Sequence, residues 1–295
     1  MSVRARLLVV TTFSAAAAFA VAAFAGTVSA QTPPPPSALP GTPPTASPSL
    51  PDPCGSLLSI VNRPTFGTGV CTVRTGHFDV ENGYTNTVST GPGGGSAALY
   101  PQSLIRVGTS DPHLDFEFGA PSEERSSLGG TATGGSTDAS FGMKYELGYD
   151  AKALWGVSAV ATVPSGARTF SAGNAQFTGN LNWGYSIDSE FGLAGTLGFN
   201  AFSAYNAAGV AQSYFAFAPT LEVTAALPGG PSQLAAEYSY FSSAGPGLGG
   251  KSWFDFVYQR DFGPHVQFDV EYGFSPTFIG GQKQHYVGAG LSFMN

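Results

Sequence analysis

The sequence predicts an all-β fold: a transmembrane, antiparallel, up-and-down β-barrel of about twelve strands. Three observations carry this. Segment after segment alternates apolar and polar side chains, the composition favours turns over helices, and the gaps between segments alternate between long and short. Side chains on a strand point to opposite faces in turn, so such segments have one apolar and one polar face.

Only 11% of the 295 residues are charged, whereas soluble domains usually carry about 25%. The chain holds 40 Gly, 23 Phe and 12 Tyr. The net charge of −7 argues against nucleic acid as a partner.

Residues Met1–Ala30 read as a secretory signal. Arg4 and Arg6 open it, Leu7–Phe24 is apolar and Ala-rich, and Val28-Ser29-Ala30 resembles a cleavage site. A retained membrane anchor is the alternative. Residues 31–53 are a Pro-rich linker with too little apolar surface to fold. Residues 54–72 form an N-terminal periplasmic segment flanked by Cys54 and Cys71. In an exported protein a disulfide between the two is expected, with free thiols as the alternative.

The barrel is expected over residues 73–295. Its candidate strands are Val73–Tyr84, Leu99–Val107, His113–Gly119, Asp138–Tyr149, Ala153–Val163, Gln176–Tyr185, Glu190–Phe199, Gln212–Ala226, Gln233–Phe241, Ser252–Asp261, Val266–Phe274 and Gln284–Phe293. Val266–Phe274 shows the pattern best: Val266, Phe268, Val270, Tyr272 and Phe274 share one face, and Gln267, Asp269 and Glu271 the other. Phe116 and Phe118 alternate with Asp115 and Glu117 in the same way. Leu99–Val107 is mixed on both faces.

The gaps say which face meets lipid. Short gaps at 108–112, 150–152, 186–189, 227–232 and 262–264 alternate with long ones at 85–98, 120–137, 164–175, 200–211, 242–251 and 275–283. Membrane barrels have short periplasmic turns and longer outer loops. A soluble sandwich or lipocalin-like barrel has no reason to alternate in this way. Tyr84, Tyr149, Trp155, Trp183, Tyr185, Phe199, Tyr214, Tyr240, Trp253, Tyr258 and Tyr286 lie near strand ends, where aromatic girdles sit at the lipid interfaces. The Gly-rich runs Gly91–Gly95 and Gly129–Gly135 are expected to be mobile outer loops. The implied location is the outer membrane of a Gram-negative bacterium, with membrane lipid, a small-molecule solute and the barrel assembly machinery as partners.

The polar face then lines the lumen. By alternation it carries Asp79, Glu81, Asp115, Glu117, Glu146, Glu222, Glu237, Asp255, Asp269 and Glu271, set mainly against Arg106 and Lys144. An acidic lining favours cations and neutral polar solutes over anions. The alternative is that these acids pair locally and only hydrate the interior.

Enzymatic chemistry has little to rest on. No G-x-S-x-G elbow, H-E-x-x-H pair or metal-spaced cysteine set occurs. His77, His113, His265 and His285 lie at turns or strand ends. The reading is a non-enzyme without cofactor or metal.

Several short motifs resemble the meta-pathway phenol-degradation family of outer-membrane β-barrels, often described as transporters. They are Asn62-Arg63-Pro64-Thr65-Phe66, Gly76–Gly83, Pro101–Ser110, Leu114–Phe118, Gly142–Tyr145, Val160–Gly166 and Val287–Phe293. The family usually has Asp where this chain has Thr65, and many barrels finish on an aromatic residue where this chain has Phe293-Met294-Asn295. The resemblance implies uptake of small, aromatic or hydrophobic compounds and supplies no catalytic residues. The rivals to a channel are a structural or surface-interaction barrel acting through its Gly-rich loops and, after it, a barrel enzyme.

Overall fold

In the computed structural model the described residues are 52–295, apart from 64, 207, 280 and 281, and side chains 277–279 are left aside. The expected signal segment and residues 31–51 of the linker lie outside them.

The strands are β1 Phe78–Thr90, β2 Gly95–Tyr100, β3 Leu104–Gly108, β4 Leu114–Gly119, β5 Glu123–Leu128, β6 Thr131–Ser136, β7 Ala139–Tyr149 and β8 Ala153–Val163. They continue as β9 Gln176–Ser186, β10 Phe191–Tyr205, β11 Ala211–Ala226, β12 Ser232–Phe241, β13 Lys251–Phe262, β14 Val266–Ile279 and β15 Gln282–Met294. One short helix, α1 Leu57–Ile60, precedes them.

All pairings are antiparallel, and β15 returns to β1 from Asp79↔Met294 to Thr90↔Lys283. That pairing closes the sheet. Closure removes the edges of the twelve-stranded wall, a requirement in lipid, and only beyond it does a strand, β6, keep a single neighbour, β5. Twelve strands form the wall, because β2, β5 and β6 continue β3, β4 and β7 beyond breaks at 101–103, 120–122 and 137–138. Pro101 and Pro121 fall in two of the breaks, where a missing N–H interrupts a ladder. Backbone bonds still bridge them, from Gln102 N to Gly83 O (2.8 Å), Ala120 N to Ser103 O (3.0 Å) and Thr137 N to Ser122 O (2.8 Å).

Burial is inverted relative to a water-soluble domain. Phe256, Phe215 and Leu291 are 51%, 61% and 56% exposed, while Asp79, Glu81, Arg106, Asp115, Lys144, Asp255 and Asp269 are fully buried. Charged side chains are almost never buried in soluble proteins unless paired. An apolar exterior around a polar interior is the arrangement of a membrane barrel. Cross-strand aromatic pairs knit the outer surface: Phe254–Phe274 rings stack at 5.5 Å, and Tyr238–Phe254 and Phe199–Phe217 stand at 5.1 and 5.3 Å.

Two sequence expectations change. The far-end gaps are mostly not loops. β1, β10, β11 and β14 run on into them, and β5 and β6 occupy most of 120–137, leaving only Gly129 and Gly130 as its turn. Gly91–Gly95 and Gly129–Gly135 are therefore tight turns with paired flanks rather than open loops, and Gly91, Gly93, Gly129 and Gly130 take the positive φ those turns need. The flanks are rich in small and polar residues, and β6 (TATGGS) has no apolar face, so alternation could not reveal it. The second change concerns Trp253 and Tyr286. Both are 4% exposed and lie inside the barrel, not in a lipid girdle. Trp253 shares its face with Asp255, two residues on, so the strand's own alternation turns it inward.

Candidate functional site

The lumen is not empty. The segment from Cys54 to Val73, expected to stand ahead of the barrel, turns back into it. Strand β1 accordingly starts at Phe78 rather than Val73. Cys54 and Cys71 form a disulfide with Cα atoms 5.3 Å apart, so the segment is a closed loop rather than a free arm. Cys54, Ile60, Cys71 and Val73 pack as a small apolar knot, with Leu154 and Met294 against it.

The wall holds this segment through its charged residues. Glu81 accepts the backbone N–H of Asn62 (3.0 Å) and of Arg63 (2.9 Å). Asp115 accepts that of Val73 (2.9 Å). Arg106 donates to the carbonyls of Ile60 and of Cys71, the latter at 2.8 Å, and pairs with Asp115 at 2.6 Å. Glu117 and Glu81 lie 3.4 and 3.8 Å from the same guanidinium. Lys144 donates to Asn62 Oδ1 at 2.6 Å and stands 4.0 Å from Glu117. One wall, from β1 to β7, therefore binds the plug through a compact ion network. A charge buried this deeply must be paired, and here the partners are the wall and the plug backbone.

The opposite wall binds it differently. Glu237 takes the N–H groups of Phe66 (3.0 Å) and Gly67 (3.1 Å) on its two oxygens, and Thr196 Oγ1 takes that of Thr68 at 3.0 Å. Gln259 donates to Arg63 O at 2.7 Å. Arg63 reaches Gln102 at 3.1 Å and lies 3.6 and 3.9 Å from Asp269 and Glu271. Gly83 makes room for Arg63, since a Cβ there would run into the guanidinium. The Phe66 ring sits among Trp253, Tyr286 and Phe241, with centroids at 6.0, 6.0 and 6.4 Å.

The plug leaves a chamber on each side. One, of about 310 Å³, lies toward the far end and is lined by Phe66, Thr85, Gln102, Gln176, Glu271 and Tyr286. The connection 164–175 folds over it, with Asp138 accepting the N–H groups of Gly166 and Ala172 at 2.8 Å each. The other, of about 260 Å³, lies toward the short-turn end and is lined by Val70, Thr196, Glu222, Thr224 and Gln233. Thr65 lines both.

No family model and no curated protein matches the chain. Among solved structures, an outer membrane channel from Pseudomonas putida F1 aligns with TM-score 0.57 at 12% identity, over 77% of this chain and 98% of that one. The NanC porin aligns with TM-score 0.48 at 11% identity, over 73% and 98%. The barrel fold is that of a known outer membrane channel.

Against this fold, the twelve residues read as lumen-facing take distinct places. Asp79, Glu81, Arg106, Asp115, Glu117, Lys144 and Glu146 sit on the network wall, and all are buried. Arg74 binds Glu146 at 3.1 Å, and Thr72 and Arg74 both donate to Pro112 O at the short-turn end. Glu237, Asp255, Asp269 and Glu271 are buried on the other wall, and Glu222 is half-buried on the short-turn chamber. Asn62, Arg63, Phe66, Gln102 and Gln259 were not singled out as lumen residues. For Asn62, Arg63 and Phe66 the one sequence signal is the motif itself, which lies before the first strand and so outside any alternation argument, whereas Gln259 shares the inward face of Asp255 on β13. Among the described residues no three His, Cys, Asp or Glu side chains stand close enough to hold a metal ion. His77 and His265 are spent on the C-terminus, at 2.6 Å from Asn295 O and 2.8 Å from Met294 O.

Proposed function

We propose that this chain is an outer-membrane channel for small solutes, captured with its own N-terminal segment closing the lumen. The observation that carries the reading is the pair of chambers on either side of the 54–73 segment, which the wall holds mainly through hydrogen bonds and ion pairs, with the Phe66 ring and the knot around Cys54 and Cys71 as its apolar contacts. Water that enters a vacated lumen can take over these hydrogen bonds, so the segment can leave without unfolding the barrel. Residues 1–30 act as the export signal, and residues 31–53 tether the segment on the periplasmic side. Membership of the meta-pathway phenol-degradation family belongs to this proposal and is supported by the motifs quoted above. Aromatic or hydrophobic solutes fit the rings that border the far chamber, and the acids of the lining favour cations over anions.

A planar-bilayer and liposome-swelling comparison tests the reading. Wild-type protein is expected to conduct rarely, and a variant lacking residues 54–73 to conduct steadily with cation preference. The filled lumen also suits a structural barrel without transport. A plugless variant that folds and passes neither ions nor small sugars would establish that role and overturn the channel.

A further inference from the structure

The place where Phe66 sits has the features of a ligand site occupied by the protein's own chain. Three strands bring carboxylates into one row. Glu222 stands directly opposite Glu237, and Glu237 directly opposite Asp255. Like charges facing each other across strands repel. Among the described residues no Lys or Arg forms an ion pair with any of the three. Lys251, on the same strand as Asp255, lies instead over the Trp253 ring at 4.2 Å and donates to Gln284. Asp255 is fully buried and meets neutral donors, the Tyr286 hydroxyl among them, but no cation among the described residues. A buried carboxylate without a cation costs free energy, and three of them in one row favour a cationic partner.

Above this row stand the rings. Trp253 and Tyr286 are 5.4 Å apart, and Phe241 completes a three-sided socket around Phe66. Gly273, directly across from Asp255, has no side chain, and the Tyr286 ring occupies the space a Cβ would need. What the plug places here is one aromatic ring with two N–H donors beside it, the latter on Glu237.

We propose that the Phe66 socket is a binding site for aromatic amines, and that Phe66 and Gly67 occupy it as an internal stand-in for that ligand. The ring of such a solute takes the place of the Phe66 ring, and its ammonium group meets Glu237 and Asp255, giving the acid row the cation it lacks. Ring faces and carboxylates together favour an ammonium over a neutral or anionic group. Plug and ligand then compete for one site, so the ligand itself promotes opening. The inference rests on the channel reading and names a solute class for it.

The test is calorimetric titration of the purified full-length protein with 2-phenylethylammonium and, separately, 3-phenylpropionate. In Phe66→Ala the socket is vacated. This variant is expected to bind the ammonium compound at least tenfold more tightly than wild type, and at least tenfold more tightly than the carboxylate. Asp255→Asn and Glu237→Gln in the Phe66→Ala background are expected to abolish the preference. Phe66→Leu, which keeps the plug packed, is expected to show the same order with a smaller gain. Equal binding of both compounds, or no gain on removing the Phe66 ring in either variant, overturns the proposal. A plugless variant that fails to conduct would sink the channel reading but leave this binding result standing, so the two failures are distinguishable.

Discussion

Glu81→Gln is expected to loosen the plug while leaving the barrel intact. The Glu81 carboxylate accepts two backbone N–H groups of the plug, from Asn62 and Arg63, and stands 3.8 Å from Arg106. Gln is the same size, but its amide nitrogen cannot accept. One of the two N–H groups then faces a donor. Hydrogen bonds to charged groups contribute about 1.5–3 kcal/mol each. Losing one shifts the closed-to-open equilibrium by roughly 10- to 150-fold, at about 1.4 kcal/mol per factor of ten. The assay is open probability in planar bilayers, paired with protease access to residues 54–73. Glu123→Gln is the control, since Glu123 meets Arg125 only at 3.7 Å and both are exposed. Such surface pairs contribute about 0–1 kcal/mol. An unchanged open probability in folded Glu81→Gln, or an equal rise in the control, would refute the view that wall carboxylates hold the plug.

Three further outcomes follow from the structure. Reducing the Cys54–Cys71 bond, or replacing both residues by Ser, releases a loop closed across a separation of 17 residues; the chain-entropy model gives about 3 kcal/mol for a loop of this size. Longer openings and faster plug proteolysis are expected under reductant, and identical single-channel records would contradict this. Phe256→Arg, near the middle of β13 on the apolar exterior, is expected to destabilise the barrel in lipid by about 2–4 kcal/mol. Urea unfolding in vesicles measures it, and a neutral result would argue against a lipid-facing surface. In the 187–190 turn, Asp188 accepts the backbone N–H groups of Glu190 and Phe191, and these bonds hold its carboxyl below the usual range. A depressed pKa means that the turn's stabilisation is present above the ordinary Asp pKa and is lost as pH falls through the lowered value. Hydrogen exchange at Phe191 is therefore expected to rise in strong acid in wild type but not in Asp188→Asn, whose amide oxygen still accepts.

How much could be read from residues alone is clearest in β14. Val266–Phe274 alternates so regularly that both its faces follow from the sequence, and Asp269 and Gln267 are buried while Val270 and Tyr272 are exposed. Trp253 is legible by the same rule, although its place near a strand end also fits an interface aromatic. The far-end extensions were not legible, because Thr131–Ser136 has no apolar face to alternate. The plug was not legible either. Its backbone N–H groups find acceptors on β1, β4, β10 and β12, and partners so far apart in the chain leave no local pattern.

The sequence by itself determined the barrel. A period of two, an even set of segments and an apolar exterior follow from the alternation of side chains along each strand, and only closure satisfies a backbone placed in lipid. The tertiary structure decided what fills it. Whether the lumen acids line an open path or grip the chain's own N-terminal segment depends on contacts such as Glu237 with Phe66, at a separation of 171 residues. Only folding brings such groups within hydrogen-bonding distance.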